Sequence, residues 1–183
     1  VRELFSLEKM KSRPWKRALI LCGSGNNGAD GLAVARLLTQ EGRCVCACVC
    51  GEAAGLKTTD SYRVQREICA SYRVRVSEDV LGDEFDLVID AVFGTGLARN
   101  VEGVLADVLS RANRMEAWRV ALDISSGLSA DTGRTLGETF CADDTITFAF
   151  GKRGQFLWLG NECSGRVNIL PMGTTDRSFL GGH

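Results

Sequence analysis

The sequence predicts an α/β fold, a three-layer α/β/α sandwich in which helices cover both faces of a mostly parallel, doubly wound sheet. Short apolar runs alternate with longer stretches of helical periodicity along most of the 183 residues. The run at 86–93 is almost continuously apolar, which is typical of a strand that is covered on both faces. Hydrophobic residues make up 45% of the chain and charged residues 25%, which is the composition of an ordinary globular domain.

The first strand and the first helix enclose a glycine-rich turn. The apolar run at 18–22 predicts the strand, and Leu32, Ala35 and Leu38 recur at helical spacing in the helix predicted over 28–40. The same patterns predict the remaining elements, which are strands at 44–50, 72–76, 86–93, 120–124, 145–150 and 166–170 and helices at 58–71 and 101–113. Right-handed crossovers between these elements predict the order 3-2-1-4-5 for the first five strands.

The chain is expected to form one domain between two shorter segments. Residues 1–17 are a basic lead-in with a short helix expected around 4–10, residues 18–173 form the domain, and residues 174–183 form a tail. Twenty-two Lys and Arg balance 23 Asp and Glu, whereas a domain that coats nucleic acid concentrates positive charge. The longest run of cysteines and aliphatic residues, at 44–50, is far shorter than the ~20 residues that cross a bilayer. Partners of both kinds are therefore not expected.

Eight cysteines without a signal-peptide pattern predict reduced thiols and a cytoplasmic protein, although the basic lead-in leaves a mitochondrial location open. Cys44, Cys46, Cys48 and Cys50 alternate with small apolar residues, which raises the question of a zinc site. Side chains on one face of a strand stand ~6.6–7 Å apart, too far for four sulfurs to share a tetrahedral ion. We predict instead a strand whose small side chains pack beneath a helix.

The turn after the first strand carries the first chemical signal. Gly23, Gly25 and Gly28 form a G-x-G-x-x-G pattern between a strand and a helix, where backbone amides can face a pyrophosphate. Glycines also serve simply to turn the chain, so the pattern alone is weak. The oxygens of Asn26, Asn27 and Asp30 add acceptors that could hold a hard cation, ribose hydroxyls or a polar ring. Helix capping is the structural alternative.

Two further groups of polar residues follow the fourth and fifth predicted strands. Asp90 lies within an apolar run, and a buried carboxylate needs a partner, a cation or a proton. Asp123 and Ser126 stand at a strand end that turns on Gly127. Either group could merely anchor a loop.

The predicted strand order brings these groups to one place. Strands one and four are neighbours at the switch point of the sheet with strand five beside them, and ligands bind outside the carboxyl ends there. Asn27, Asp90, Asp123 and Ser126 are therefore expected to face one crevice. An amide oxygen, a carboxylate and a hydroxyl, completed by backbone carbonyls, suit a monovalent cation better than zinc.

Three long motifs in register are similar to those of the NAD(P)H-hydrate epimerase family, the YjeF N-terminal domain that also occurs in the apolipoprotein A-I-binding protein. The family patterns are G-x-G-N-N-G-G-D-G, matched at 23–31, D-A-x-F-G-T-G-L, matched at 90–97, and L-D-I-P-S-G-L-D-A-D-T-G, matched at 122–133. A later T-x-T-F-x-x-x-K-x-G pattern appears at 145–154, and 165–173 resembles the closing strand of the family. The resemblance thus covers about residues 18–173.

The resemblance implies a Rossmann-like enzyme that interconverts the R and S forms of hydrated NADH and NADPH, and a homodimer. These substrates are damaged cofactors with a hydroxyl on the nicotinamide ring, and a separate dehydratase repairs the S form. By motif position, a potassium ion would bind Asn27, Asp90 and Ser126, and Asp123 would be the catalytic proton-transfer residue. The implied substrate contacts are Asn26, Asn27, Gly28, Ala29, Asp30, Gly94, Thr95, Gly96, Leu97, Ala98, Arg99, Asn100 and Asp123.

The chain departs from the family patterns at three positions. Ala29 replaces a glycine and adds a methyl group where a close approach of the backbone is expected. Ser125 replaces a proline in the turn that presents Ser126, and Ser129 replaces an aspartate. The segment before the first strand is also short.

Two other functions compete with epimerisation. A conventional nicotinamide oxidoreductase could use Glu52, about 24 residues past Gly28, to bind the ribose. That hypothesis leaves the motifs at Asp90 and Asp123 unexplained, and the sole histidine is His183. A non-catalytic dimerisation scaffold, as in mRNA-decapping enhancers, would not need its site residues to stay intact.

Overall fold

The computed structural model describes residues 15–80, 82 and 84–171, so the helix predicted around 4–10 and the tail at 174–183 lie outside the described residues. The elements in chain order are β1 (Arg17–Cys22), α1 (Asn26–Gln40), β2 (Cys44–Cys48), α2 (Cys50–Ala53), α3 (Asp60–Ser71), β3 (Arg75–Ser77), β4 (Leu87–Ala91), α4 (Gly103–Asn113), β5 (Trp118–Leu122), β6 (Asp144–Phe148), α5 (Arg153–Phe156), α6 (Gly160–Ser164) and β7 (Arg166–Leu170).

The seven strands form one sheet in the order β3-β2-β1-β4-β5-β6-β7, and each neighbouring pair is parallel. This arrangement confirms the predicted α/β fold and the predicted order of the first five strands. Asp90 sits near the carboxyl end of β4, paired with Leu21 of β1 and Ala121 of β5. The crossover connections leave the carboxyl ends of these strands at one edge of the sheet, where the turns after them meet.

The sheet is covered on both faces, as the continuous apolar strands predict. One face forms a core with side chains of α1 such as Leu32 and Leu38. On the other face Cys46 and Cys48 pack in a core that contains Leu105 and Leu109 of α4. The small cysteine side chains thus lie beneath a helix, as predicted. None of the helices in the described part of the chain has the length and apolar character that a bilayer span requires.

Several element ends differ from the sequence prediction. The strand predicted to reach residue 50 ends at Cys48, because Cys50 begins the short helix α2. The strand predicted at 120–124 is β5 at Trp118–Leu122, because Asp123 adopts a φ of +67° and leaves the sheet. Helices α5 and α6, which have four and five residues, were not predicted.

Candidate functional site

A crevice of about 600 Å³ opens at the carboxyl edge of the sheet, above the ends of β1, β4, β5 and β6. The predicted substrate contacts that line it are Asn26, Asn27, Asp30, Gly94, Thr95, Gly96, Leu97 and Asp123. They come from three turns that are far apart in the sequence. Parallel topology is what brings them together.

The other predicted substrate contacts lie beside the crevice. Gly28 and Ala29 are buried in the first turn of α1. Arg99 and Asn100 line a second cavity of about 520 Å³, which shares Leu56 with the crevice as a wall. Ala98, which lies between these two sets of residues in the sequence, is exposed.

The turn after β1 is built for close approach of backbone. The Gly23 N–H donates to the carbonyl of Ala91 on β4 at 3.1 Å, which fixes the turn on the central strands. A Cβ on Gly28 would stand 1.8 Å from the carbonyl oxygen of Gly23. The 15-residue helix α1 therefore starts against β1, and its positive end, with Gly25 as the cap residue, faces the crevice.

Asn27 holds the first turn to the loops that follow β4 and β5. Its Nδ2 donates to the carbonyl of Phe93 at 2.9 Å and to that of Leu122 at 3.3 Å. Because both partners are acceptors, the hydrogen bonds fix which end of the amide is nitrogen. Its Oδ1 is buried and has no hydrogen-bond partner among the residues that the structure describes. A buried acceptor without a partner is costly, and such an atom suits a cation or a ligand donor.

Asp90 and Ser126 lie beneath the crevice rather than on its surface, and both are buried. The Ser126 hydroxyl donates to Asp90 Oδ1 at 2.7 Å, and the Ser126 N–H donates to Oδ2 at 2.7 Å. The Ser126 hydroxyl also accepts a hydrogen bond from the Phe93 N–H at 2.8 Å. Phe93 thus links this pair to Asn27, so the three predicted ligands of the ion form one connected network.

Burial raises the pKa of Asp90 to about 6, although hydrogen bonds from Ser126 and Val92 oppose the shift. These partners are a hydroxyl and backbone N–H groups, none of which carries a charge. A cation near Asp90 would compensate its charge. Within the described ranges, no three His, Cys, Asp or Glu side chains group together in a metal-binding cluster. The oxygens of Asn27, Asp90 and Ser126 are instead the donor type that suits an alkali cation.

Asp123 occupies a three-residue turn at the end of β5. The Ile124 N–H donates to the carbonyl of Leu122 at 2.8 Å, which with the positive φ of Asp123 is the pattern of a γ-turn. Oδ1 of Asp123 contacts the Lys152 ammonium and accepts from the Thr147 hydroxyl at 3.3 Å. Oδ2 lies 3.5 Å from where a Cβ on Gly94 would stand. One carboxylate oxygen is therefore anchored while the other faces the crevice wall.

A second carboxylate, Asp30 of α1, lines the same crevice. Partial desolvation by the walls and then the charge of Asp123 raise the pKa of Asp30. The crevice is therefore lined by two carboxylates, one from α1 and one from the turn after β5.

The sequence interpretation missed several residues of the site. Lys57 and Leu56, between α2 and α3, line the crevice, as does Phe148 at the end of β6. No motif marks the first two. Lys152 belongs to the recognised pattern at 145–154, but that pattern gave it no role.

The three departures from the family patterns are accommodated locally. The methyl group of Ala29 is buried in the core between α1 and the sheet. The Ser125 hydroxyl donates to the carbonyl of Cys163 at 2.8 Å and so ties the turn to α6. The Ser129 hydroxyl accepts from the Thr132 hydroxyl at 2.9 Å.

Glu52, the ribose-binding residue of the oxidoreductase hypothesis, is engaged by α3. It accepts a hydrogen bond from the Tyr62 hydroxyl at 2.8 Å and forms an ion pair with Arg66 at 3.3 Å. These contacts give Glu52 a structural role in attaching α2 to α3.

Known proteins resemble this chain over most of its length. The sequence profile of a family described as YjeF-related protein N-terminus matches residues 2–154. The NAD(P)H-hydrate epimerase of Limosilactobacillus fermentum is 40% identical over 160 residues, which cover 86% of this chain and 76% of that protein. The NAD(P)H-hydrate epimerase of Levilactobacillus brevis is 35% identical, covering 86% of this chain and 73% of that protein. The crystal structure of yeast YNL200c has a TM-score of 0.66 at 15% identity, covers 93% of this chain and 73% of that one, and shares the fold.

Proposed function

This chain belongs to the family of YjeF-related protein N-terminal domains, and we infer from this membership that it is an NAD(P)H-hydrate epimerase. It is an isomerase that interconverts the R and S forms of hydrated NADH and NADPH, a step in the repair of damaged cofactors. The observation that carries this function is the convergence of the three family motifs on one crevice, with a carboxylate at its wall. Intact site residues favour the enzyme over a non-catalytic scaffold.

The reaction requires a proton on the hydroxyl group that the nicotinamide ring carries. A proton joins the hydroxyl oxygen, the C–O bond breaks, and its electron pair leaves with water. The lone pair of the neighbouring ring nitrogen forms the C=N bond of a planar iminium. Water then adds to the opposite face and gives back one proton, so atoms and charge balance. A carboxylic acid that has donated its proton is left as a carboxylate, so the same residue can accept a proton when water adds.

We propose Asp123 as that residue. Asp123 lines the crevice, and its side chain is about one-fifth exposed. Its Oδ1 is held by Lys152 and Thr147, whereas its Oδ2 lies beside Gly94 in the wall of the crevice. The N-terminus of α1 and the exposed ammonium of Lys57 offer positive charge for the pyrophosphate of the substrate. The second cavity beside Arg99 gives room for the rest of a dinucleotide.

We also propose a potassium ion held by Asn27, Asp90 and Ser126. The unpartnered Oδ1 of Asn27 and the buried charge of Asp90 support an alkali cation in this network. When bound, the ion would supply positive charge behind the loops that carry Asp123 and Phe93. The protein groups themselves already bind those loops to one another.

A homodimer in the cytoplasm is the proposed cellular form. Phe156, Trp158 and Ile169 are 59%, 79% and 51% exposed at the β7 end of the sheet. Phe156 and Ile169 both lie against Gly151, so this apolar surface is shared between α5 and the edge strand. Exposed apolar surface of this kind supports association with a second copy. The eight free thiols support a reducing compartment.

The test of the function is direct turnover. Purified protein is mixed with the R hydrate of NADH, and the R and S forms are followed by chromatography against a blank without protein. The S form should appear faster than in the blank. Failure of the protein to accelerate the exchange would favour the scaffold, and turnover of ordinary NADH with a carbonyl substrate would favour an oxidoreductase.

A further inference from the structure

Lys152, just before α5, is the cation that contacts the anchored oxygen of Asp123. Its ammonium contacts Asp123 Oδ1, donates to the Thr147 hydroxyl at 2.8 Å and donates to the carbonyl of Phe148 at 3.2 Å. Three acceptors therefore use the three N–H bonds of the ammonium. Its side chain is 17% exposed, and that of Asp123 is 19% exposed. A pair this sheltered is screened less than an ion pair on the open surface.

The same short segment also holds the backbone of Asp123. The side-chain Nε2 of Gln155 donates to the carbonyl of Asp123 at 2.8 Å, and Gln155 is buried. The side-chain Oε1 of Gln155 in turn accepts a hydrogen bond from the backbone N–H of Lys152 at 2.7 Å. Lys152 and Gln155 thus fix each other and together hold both the main chain and the side chain of Asp123.

These contacts treat the two oxygens of Asp123 differently. Oδ1 is taken by Lys152 and Thr147, which lie on the β6 side. Oδ2 lies on the β4 side, 3.5 Å from where a Cβ on Gly94 would stand, and both residues line the crevice. A half-turn of the carboxylate would give an equivalent arrangement, whereas a partial rotation would take both oxygens away from Lys152 and Thr147. The main chain of Asp123 also depends on surrounding contacts, because a positive φ is uncommon for residues other than glycine.

We propose that Lys152 is a positioning residue for the epimerisation: it holds Oδ1 of Asp123 so that Oδ2 stays directed at the substrate. This inference rests on the proposed function, in which Asp123 transfers the proton. Lys152 acts through Asp123 and not on the substrate, since three protein acceptors occupy its ammonium and Lys152 is not among the residues that line the crevice. Misplacement of a reacting group by about 1 Å can cost about 10²-fold in rate.

The experiment compares Lys152→Met with Lys152→Arg and with the control Arg153→Met. Arg153 is the next residue along the chain and is exposed, so its replacement removes the same charge without touching Asp123. We measure kcat and KM for the R hydrate and follow thermal unfolding by circular dichroism. Lys152→Met should lower kcat by about 10²-fold with KM nearly unchanged. Lys152→Arg should recover part of the loss, and Arg153→Met should behave like the parent.

A double variant tests whether Lys152 acts through Asp123. In the Asp123→Asn background, Lys152→Met should lower kcat little further, because groups that act as a unit are not additive. Should Lys152→Met not fold, Thr147→Val removes the other contact to Oδ1 and is expected to lower kcat in the same direction. A kcat within twofold of the parent for the folded Lys152 variant, or a rise in KM alone, overturns the proposal. If the parent itself does not epimerise the hydrate, the proposed function fails instead.

Discussion

At the scale of the residue, Asp123 combines a reactive group with an unfavourable backbone conformation. A positive φ in a residue other than glycine costs on the order of 1–3 kcal/mol and persists where surrounding contacts enforce it. Here hydrogen bonds from Gln155 to its carbonyl and from its own N–H to the Ile146 carbonyl at 2.7 Å do so. The turn lifts the carboxylate out of the sheet and into the crevice.

We predict that Asp123→Asn lowers kcat by ~10²–10⁴-fold, the usual contribution of a proton-transfer group. Asparagine adopts positive φ more readily than most residues, so the fold should be retained. The measurement is the rate of exchange between R and S hydrates, with the melting temperature as a check. Asp107→Asn, an exposed change on α4, is the control and should leave the rate unaltered. An unaltered rate in Asp123→Asn would exclude this residue as the proton donor.

Individual site residues differ in how far the sequence predicts them. Asn27 and Asp123 line the crevice as expected from their places after β1 and β5. Asp90 and Ser126 were also expected to face it, yet they lie under it, because they satisfy each other's hydrogen bonds. Lys57 could not be predicted, because a lysine in a loop looks like any other exposed lysine. Its role depends on where the loop folds.

At the scale of the element, the start of α1 depends on a contact between two glycines. A Cβ on Gly28 would meet the carbonyl oxygen of Gly23 at 1.8 Å, whereas one on Gly25 would have no neighbour within 4 Å. Gly28 therefore sets how closely the helix approaches the strand, and Gly25 does not. The sequence pattern alone cannot separate these roles, since both positions belong to the same G-x-G-x-x-G motif.

We predict that Gly28→Ala destabilises the protein by about 1–3 kcal/mol, because the methyl group forces α1 away from β1. Gly25→Ala is the matched control, and its free energy of unfolding should stay within about 0.5 kcal/mol of the parent. Denaturant unfolding followed by circular dichroism measures both. Equal stability of the two variants would show that the contact between the glycines is not required.

The sequence predicts long elements better than short ones. The helices α1, α3 and α4 span enough turns for a repeating apolar face to be read, and their cores lie as expected. Helices α5 and α6 contain about one turn each, too few for any periodicity. Gln155 of α5 and Lys152 just before it contact Asp123, and Cys163 of α6 contacts Ser125. The segment that is hardest to predict from the sequence therefore supports the site.

At the scale of the whole molecule, the proposed ion joins three residues that are far apart in the sequence. Asn27 lies in the first turn of α1, Asp90 in β4 and Ser126 in the turn after β5, and binding there favours the folded state over the unfolded chain. An ion at ten times its Kd adds about 1.4 kcal/mol. For a domain of this size, a stabilisation of about 1.4 kcal/mol raises the melting temperature by about 3–6 °C.

We predict that potassium raises the melting temperature more than lithium does at equal ionic strength. The parent should melt at a higher temperature in potassium than in lithium. Ser126→Ala removes one oxygen ligand of the proposed ion, so this variant should melt at the same temperature in both salts. Diffraction from crystals soaked in rubidium would place an anomalous peak beside Asn27 Oδ1. Equal melting in all salts together with no such peak would rule out the site.

We predict that the homodimer depends on the apolar surface at the β7 end. Trp158→Ser should shift the mass measured by light scattering toward that of a monomer, 19.8 kDa, because it removes the most exposed large apolar side chain there. Val104→Ser, an equally polar change at an exposed position on α4, is the control. A parent protein that already has the mass of a monomer contradicts the proposed dimer.

The parallel sheet also dictates when the crevice can first exist during synthesis. Strand β1 is made early, but it is paired on one side by β4, and the turn that carries Ser126 follows only after β5. A nascent chain therefore exposes one edge of β1 until β4, which ends at Ala91, has left the ribosome, and the turn that carries Ser126 follows later. Because the described strands all pair in parallel, none of these pairs forms as a local hairpin, and the lining of the crevice is complete only when Phe148 has emerged.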